Sequence, residues 1–229
     1  MTQSLLELTT ETYPGTDKYD LGYIHEFYDR LFTPKKESAQ SVLEIGVNEG
    51  NSILLWKNFF ANAKVTGIDT HPVGFAAAQR AAMEAVQEAA RSTPPDPSQP
   101  MFPTMPTIDP PSGKLADEAR VEFIMIDAYT QACLDVLKDR TFDIMIDDST
   151  HGIVEQKFFM QNYLPMLNAG GILIVEDILD QAYTTQLTEG IDQSLYTVTV
   201  IDTRSKQKTP ELLEMWKNGL WVITVEKKS

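Results

Sequence analysis

The chain has 229 residues, 42% of them apolar and 23% charged, the balance of one folded domain with a full hydrophobic core. Its formal net charge of −14 repels polyanions, and the short basic spots at Lys35-Lys36, Lys206/Lys208 and Lys227-Lys228 read as solvated loop or tail charge, so nucleic acid is excluded as a partner. A start without the pattern of a signal peptide, no run near the roughly 18 apolar residues of a membrane span, and a single cysteine, Cys133, point to a cytoplasmic protein with no membrane partner and no internal disulfide.

Residues 1–40 precede the first strand pattern and are read as an N-terminal helical or lid segment. Within it, Tyr23, Phe27, Tyr28 and Phe32 form an aromatic stripe at helical spacing. Packing against the main domain is the expected use of that stripe; a lid edge and an interface in a homo-oligomer are the alternatives. From Ser41 the pattern changes. The runs SVLEIG (41–46), KVTGID (64–69), VEFIMID (121–127), FDIMID (142–147) and GILIVED (171–177) are almost continuously apolar and end in an acid or a glycine, as strands covered on both faces do. Helical patterns lie between them at 53–60, 74–90, 130–138 and 152–167, and the alternation predicts a doubly wound α/β domain with right-handed crossovers. Cys133 falls on one of these helices among Ala132, Leu134 and Val136, where a buried inert thiol is expected.

The stretch 92–113 holds eight of the 13 prolines. Proline fixes φ and removes backbone donors, so this stretch is read as a surface insertion inside a domain spanning 41–229. At the C-terminal end, 194–205 and 220–228 alternate like antiparallel strands. The link between them, 206–219, carries Thr209-Pro210-Glu211-Leu212, a plausible helix start. The expected architecture is therefore α/β and Rossmann-like: a mostly parallel seven-stranded sheet with an antiparallel last strand and helices on both faces.

Chemistry is expected at the carboxyl ends of the strands, where open α/β sheets bind ligands. The first candidate is Leu43-Glu44-Ile45-Gly46-Val47-Asn48-Glu49-Gly50-Asn51-Ser52, a strand end and a glycine turn leading into a helix. Glu44, Gly46, Gly50 and Ser52 are its candidate cofactor contacts. The spacing is GxxxG, not GxGxxG, and Glu49 in the turn would repel the phosphates of a dinucleotide while tolerating a sulfonium or an amino group. Asp69, ending the second strand, is placed to accept both ribose hydroxyls of an adenosine. Asp127, ending the third, either helps seat the adenine or caps its strand.

The fourth and fifth strands end in Asp147-Asp148-Ser149-Thr150-His151 and Glu176-Asp177. Carboxylates gathered in one cleft repel each other, and a hard divalent cation such as Mg²⁺ offsets them most readily. The alternative is a set of dispersed helix caps and solvated rim charges. His151 follows the acids closely enough to share their cleft, as a proton acceptor or as a structural histidine. His25 and His71 have weaker cases.

The motifs in this order carry a resemblance. TDKYDLGYIHEFYDRLF, VLEIGVNEGNSILLWKNFF, VTGIDTHP, FDIMIDDSTH and GGILIVED together resemble the macrocin O-methyltransferase-type family, which includes relatives labelled cephalosporin hydroxylase, over roughly 14–178. The last two are similar to that family's FDIxIDDGSH and GGxYVxED. The resemblance implies a class I fold and transfer of methyl from S-adenosylmethionine, with Mg²⁺, to a hydroxyl of a small molecule such as a sugar. Carried over by position, it implies Asp148, Glu176 and Asp177 as metal ligands, His151 as base, and Thr16 and Lys18 of the motif Gly15-Thr16-Asp17-Lys18 closing over the cofactor. Asp147, the first acid of the pair, joins the cofactor contacts, and Asp148 acts with His151 in catalysis. Ser149 stands where the family usually has glycine, and the proline-rich insertion is not part of the common core. A noncatalytic cofactor-binding or scaffold protein and, less favoured, a nicotinamide-dependent oxidoreductase are the rival readings.

Overall fold

In the computed structural model the described residues are 3–12, 16–92, 111–203 and 221–229. Gly15, most of the proline-rich stretch and the 206–219 link lie outside them.

The apolar runs pair as strands because they have no face to give to water. β1 (Ser41–Ile45) lies between two parallel neighbours, β2 (Lys64–Asp69) and β4 (Phe142–Asp147), with β3 (Val121–Met125) beyond β2 and β5 (Leu167–Ile178) beyond β4. β7 (Trp221–Lys227) is antiparallel to both β5 and β6 (Tyr196–Asp202), giving the order β3-β2-β1-β4-β5-β7-β6. The reversed last strand is thus inserted between β5 and β6. Strand β5 begins at Leu167, earlier than the GILIVED run.

Side chains alternate across the sheet with period two. Val42, Ile144, Ile146, Ile172 and Ile174 enter one apolar layer; Leu43, Ile45, Met145, Leu173 and Val175 enter the other. Helices α1 (Leu5–Glu11) and α3 (Asn51–Phe59) cover the first layer. The second is covered by α5 (Gln131–Val136), α6 (Ile153–Tyr163) and α7 (Gln181–Thr188), and here Cys133 is buried beside the Tyr163 hydroxyl. A long helix, α4 (Phe75–Ser92), follows β2. No helix among the described residues is long and apolar enough to cross a membrane.

The aromatic stripe of the N-terminal segment is core. A π turn at Ile24–Tyr28 runs directly into α2 (Asp29–Phe32), and Tyr23, Phe27, Tyr28 and Phe32 are all fully buried. Tyr28 and Phe32 lie 5.0 and 5.2 Å, centroid to centroid, from Trp56 of α3, and Phe32 also meets Phe60 at 5.2 Å. Ring pairs at these separations add to the large area each ring removes from water.

Register brings the strand ends level. Ile45 pairs with Ile68 on one side and with Asp147 on the other, and Asp147 pairs with Val175. The chain steps outward from β1 to β3 and, separately, from β4 to β5, so strand order reverses between β1 and β4. A crevice opens at such a reversal.

Because Phe32 belongs to the core, Phe32→Ala should lower the unfolding free energy by about 3–5 kcal/mol, the usual cost of emptying a buried aromatic site. Denaturant titration followed by circular dichroism checks this; a change under about 0.5 kcal/mol, normal for an exposed position, would place the ring outside the core.

Candidate active site

The end of β1 touches the end of β4. Gly46 has φ +90°, and a Cβ there would sit 1.9 Å from the Asp148 carbonyl oxygen, so a side chain is excluded both by backbone conformation and by space. The turn that follows is held by Asp69. Its Oδ2 accepts from the backbone N–H of Val47 (2.9 Å) and Asn48 (3.1 Å), and its Oδ1 from that of His71 (3.0 Å). Gly50, at φ +75°, caps α3 in the left-handed conformation.

A cavity of about 610 Å³ lies over this turn, and Thr16, Gly46, Ser52, Asp69, Asp148 and His151 are among the residues that line it. A smaller hollow of about 290 Å³ adjoins it through Asp69 and Ser149, walled by Ile68, Ile126, Asp127, Tyr129 and Phe158. Asp127 Oδ1 accepts from the Tyr129 backbone N–H at 2.9 Å.

At the ends of β4 and β5 the acids divide. Asp148, His151 and Asp177 each offer one donor atom, all within 4.8 Å of one another. His151 Nε2 faces Asp177 Oδ2 at 3.6 Å, while His151 Nδ1 is buried with no hydrogen-bond partner. Both His151 (φ +58°) and Asp177 (φ +53°) hold the left-handed conformation that side chains resist, a strain often found at functional sites. Ser149 is absent from the positive-φ residues, so the turn that aims His151 does not need glycine there.

Glu176 stands apart from that trio. It is 1% exposed, its Oε2 accepts from Lys18 Nζ at 2.7 Å, and its Oε1 accepts from the Tyr28 hydroxyl. Lys18 Nζ also donates to Asp148 Oδ2 at 2.6 Å and lies 3.4 Å from Glu44 Oε1. The Tyr23 hydroxyl donates to Asp177 Oδ1.

Three of the expected cofactor contacts lie away from the cavity wall. Lys18 and Glu44 are fully buried and are not among the residues lining the cavity; Lys18 donates to Asp148 and Glu176, while Glu44 Oε1 lies 3.4 Å from its ammonium without a hydrogen bond and Glu44 Oε2 accepts from Trp56 Nε1 at 2.9 Å. Asp147 is 1% exposed and turned inward, its Oδ1 accepting from the Tyr129 hydroxyl at 2.6 Å. Glu176, expected as a metal ligand, has both oxygens engaged by Lys18 and Tyr28. Sequence reasoning passed over Tyr23, Tyr28 and Tyr129 as polar partners of these acids. Their spacing signals core packing and says nothing about where a hydroxyl points.

Burial governs the ionisation of this edge. It pushes Glu44 up to about 7 against the pull of Lys18, Asp147 up to about 7 despite the Tyr129 hydrogen bond, and Asp177 up to about 6, helped by the Asp148 charge. Burial also holds Glu176 well above the usual carboxylate range, with Lys18 opposing. For Lys18, burial lowers the value, but the charges of Asp148 and Glu176 outweigh it and keep the ammonium charged well above its ordinary range.

Asp148 and Asp177 fit a hard divalent cation. Two ligand atoms on opposite sides of Mg²⁺, each at about 2.1 Å, are about 4.2 Å apart, and Mg²⁺ is content with one or two carboxylates and several waters.

A sheet in this order, with a reversed strand between β5 and β6 and a glycine turn after β1, is the class I methyltransferase fold. Residues 43–178, from β1 through β5, match the family model described as a methyltransferase domain, and the chain belongs to that family. Similar curated proteins include 8-demethyl-8-alpha-L-rhamnosyl tetracenomycin-C 2'-O-methyltransferase of Streptomyces olivaceus, 25% identical over 173 residues, which are 72% of this chain and 35% of that protein. Demethylmacrocin O-methyltransferase of Streptomyces fradiae is 25% identical over 169 residues, 69% of this chain and 33% of that protein. The chain thus spans about a third of the length of the curated relatives it matches. Among solved structures, the MycE methyltransferase of the mycinamycin biosynthetic pathway, in complex with Mg and SAH, has the same fold: TM-score 0.56 at 22% identity, covering 100% of this chain and 55% of that one.

The raised value of Glu44 makes a stability prediction. A carboxyl that titrates near 7 when folded and near 4.5 when unfolded binds more protons in the folded state between those values, so it lowers stability as pH rises from 4.5 to 7. Glu44→Gln keeps the acceptor for Trp56 and should flatten this fall. Urea unfolding at several pH values tests it; parallel profiles for the two proteins would show that Glu44 titrates normally.

Proposed function

We propose that this chain transfers the methyl group of S-adenosylmethionine to a hydroxyl of a small glycosylated molecule. One observation carries the reading: a single cavity is lined both by the glycine turn with Asp69 and by Asp148 with His151. A cofactor held by the first set would present its methyl group to an acceptor held by the second. The name of the Streptomyces olivaceus relative, a 2'-O-methyltransferase of a rhamnosyl compound, supports the choice of acceptor, and that of the Streptomyces fradiae relative supports O-methylation.

In this reading Asp69 keeps one unused lone pair, on Oδ1, for a ribose hydroxyl, and Gly46 and Gly50 let the backbone approach the cofactor closely. Thr16 and Ser52 add polar contacts from the cavity wall, and the hollow beside Asp127 takes the adenine. The acidic surroundings favour a sulfonium and disfavour the pyrophosphate of a dinucleotide.

His151 Nε2 accepts the proton of the acceptor hydroxyl as its oxygen attacks the methyl carbon in line, the S–CH3 bond breaks and S-adenosylhomocysteine leaves. Asp177, facing the same nitrogen, stabilises the imidazolium that results. Asp148 and Asp177 would hold a divalent cation, whose contribution when bound is to acidify the acceptor hydroxyl. Orientation of two reactants at near-contact distance supplies much of the remaining acceleration.

Calorimetric titration of S-adenosylhomocysteine, with and without Mg²⁺, tests the reading first. Micromolar-range binding is expected for the wild type and at least a tenfold loss for Asp69→Ala, with circular dichroism confirming that the variant is folded. Absence of binding in every condition would remove the proposed activity. With a sugar-bearing acceptor that supports turnover, His151→Ala should lower kcat by about 10²–10⁴ while cofactor affinity stays within threefold; unchanged kcat would take His151 out of the mechanism.

A further inference from the structure

The hollow assigned to the adenine owes one of its walls to a contact behind it. Tyr129 stands in the turn between β3 and α5, and that turn fixes its backbone. Its N–H donates to Asp127 Oδ1 at 2.9 Å, and the next residue, Thr130, donates its hydroxyl to the Asp127 carbonyl at 2.8 Å and caps α5. The turn does not fix the ring, which can still rotate about χ1 and χ2. Tyr129 is half-buried and lines the hollow. Two contacts from other elements hold its side chain. The Phe158 ring of α6 meets it edge to face, centroids 6.3 Å apart at 87°, and Asp147 Oδ1 at the end of β4 accepts from its hydroxyl at 2.6 Å. Asp147 is a costly residue to place there. It is 1% exposed, its Oδ2 is buried with no hydrogen-bond partner, and among the described residues Tyr129 is the one side chain that hydrogen-bonds it. An acid buried with one oxygen unpartnered loses more in desolvation than a single hydrogen bond returns, so stability does not account for it.

We propose that Asp147 is a positioning residue for the cofactor, acting through the Tyr129 hydroxyl to hold that ring as a fixed wall of the hollow. The inference deepens the methyl-transfer reading and rests on it for the identity of the occupant. The other walls include Ile68, Ile126 and Phe158, which are apolar. A tyrosine ring free to turn would fold onto them and fill the space, because doing so removes apolar surface from water. The base would then have to displace the ring before it could enter. Holding the ring back in advance removes that cost from binding. A carboxylate suits this task better than a neutral acceptor, since a hydrogen bond to an ionised oxygen is roughly twice as strong as one between neutral groups. Asp147 thus bears on the cofactor at one remove, although its own side chain never reaches the hollow.

Tyr129→Phe isolates this role, because it keeps the ring and removes only the atom that Asp147 holds. Calorimetry on the full chain should show S-adenosylhomocysteine bound about fivefold or more weakly by Tyr129→Phe and by Asp147→Asn, the scale of one lost hydrogen bond. The double variant should bind no more weakly than the weaker single variant, since all three lack the same contact. The loss should be equal for 5'-methylthioadenosine, which has the adenosine part without the amino acid and so reports on the hollow alone. A smaller loss in Tyr129→Phe, losses that multiply in the double variant, or a loss confined to S-adenosylhomocysteine would overturn the proposal. Should Asp147→Asn fail to fold, Tyr129→Phe with the two probes decides alone. A wild type that binds neither probe removes the methyl-transfer reading and this inference with it. Wild-type binding that Tyr129→Phe leaves unchanged removes only the role given to Asp147.

Discussion

A parallel sheet whose strands end level gathers whatever those ends carry, and here they carry acids. Glu44 on β1, Asp148 after β4, and Glu176 and Asp177 on β5 would repel one another strongly in a buried setting. The ammonium of Lys18, fully buried and within 3.4 Å of three of them, makes the arrangement tolerable. The shape of the cavity follows from this one contact. Acids beneath the cavity are matched to Lys18 and to tyrosine hydroxyls, and those at its wall keep part of their charge for a ligand.

The contact also explains why the N-terminal segment is built as it is. To deliver an ammonium to the ends of β4 and β5, the segment must be anchored firmly, and its aromatic residues do that against Trp56 and Phe60. The π turn at Ile24–Tyr28 widens the helix where Tyr28 faces Glu176, a kind of irregularity that tends to mark functional sites. Packing and electrostatics act on the same residue here: Tyr28 packs its ring at a tilt against Trp56 and holds an acid with its hydroxyl.

The strands were legible because burial on both faces leaves an unbroken apolar run, and SVLEIG, KVTGID and FDIMID coincide with β1, β2 and β4 to within a residue. The alternation near the C-terminus announced two strands and a reversed last one, while the insertion of β7 between β5 and β6 is seen only in the structure. Gly46 and Asp69 were legible because their positions at strand ends dictate their surroundings. Helix α1 was missed although Ser4 and Glu7 form a capping box that announces it, and α7 was missed although Asp180 caps it. The burial of Lys18 was not legible. In a polar motif a lysine reads as a solvated lid charge, and its partners lie 130 and 158 residues further along the chain. The same distance hid the fate of Glu176, since strand-end position brings acids to one edge without saying which will be neutralised from elsewhere.

That separation along the chain sets an order for assembly. During synthesis Lys18, Tyr23 and Tyr28 leave the ribosome long before the residues they will hold. At about 5–20 residues per second, the 130 to 158 residues between the partners take roughly 7 to 30 s to make. Throughout that interval the ammonium must stay hydrated, and the aromatic residues can settle only on α3, which is made early. The charge balance of the edge is therefore completed only after β5 has been synthesised and laid beside β4. A nascent chain stopped short of Glu176 could hold most of the first apolar layer, yet Lys18 would lack one of the three carboxylates that offset its burial.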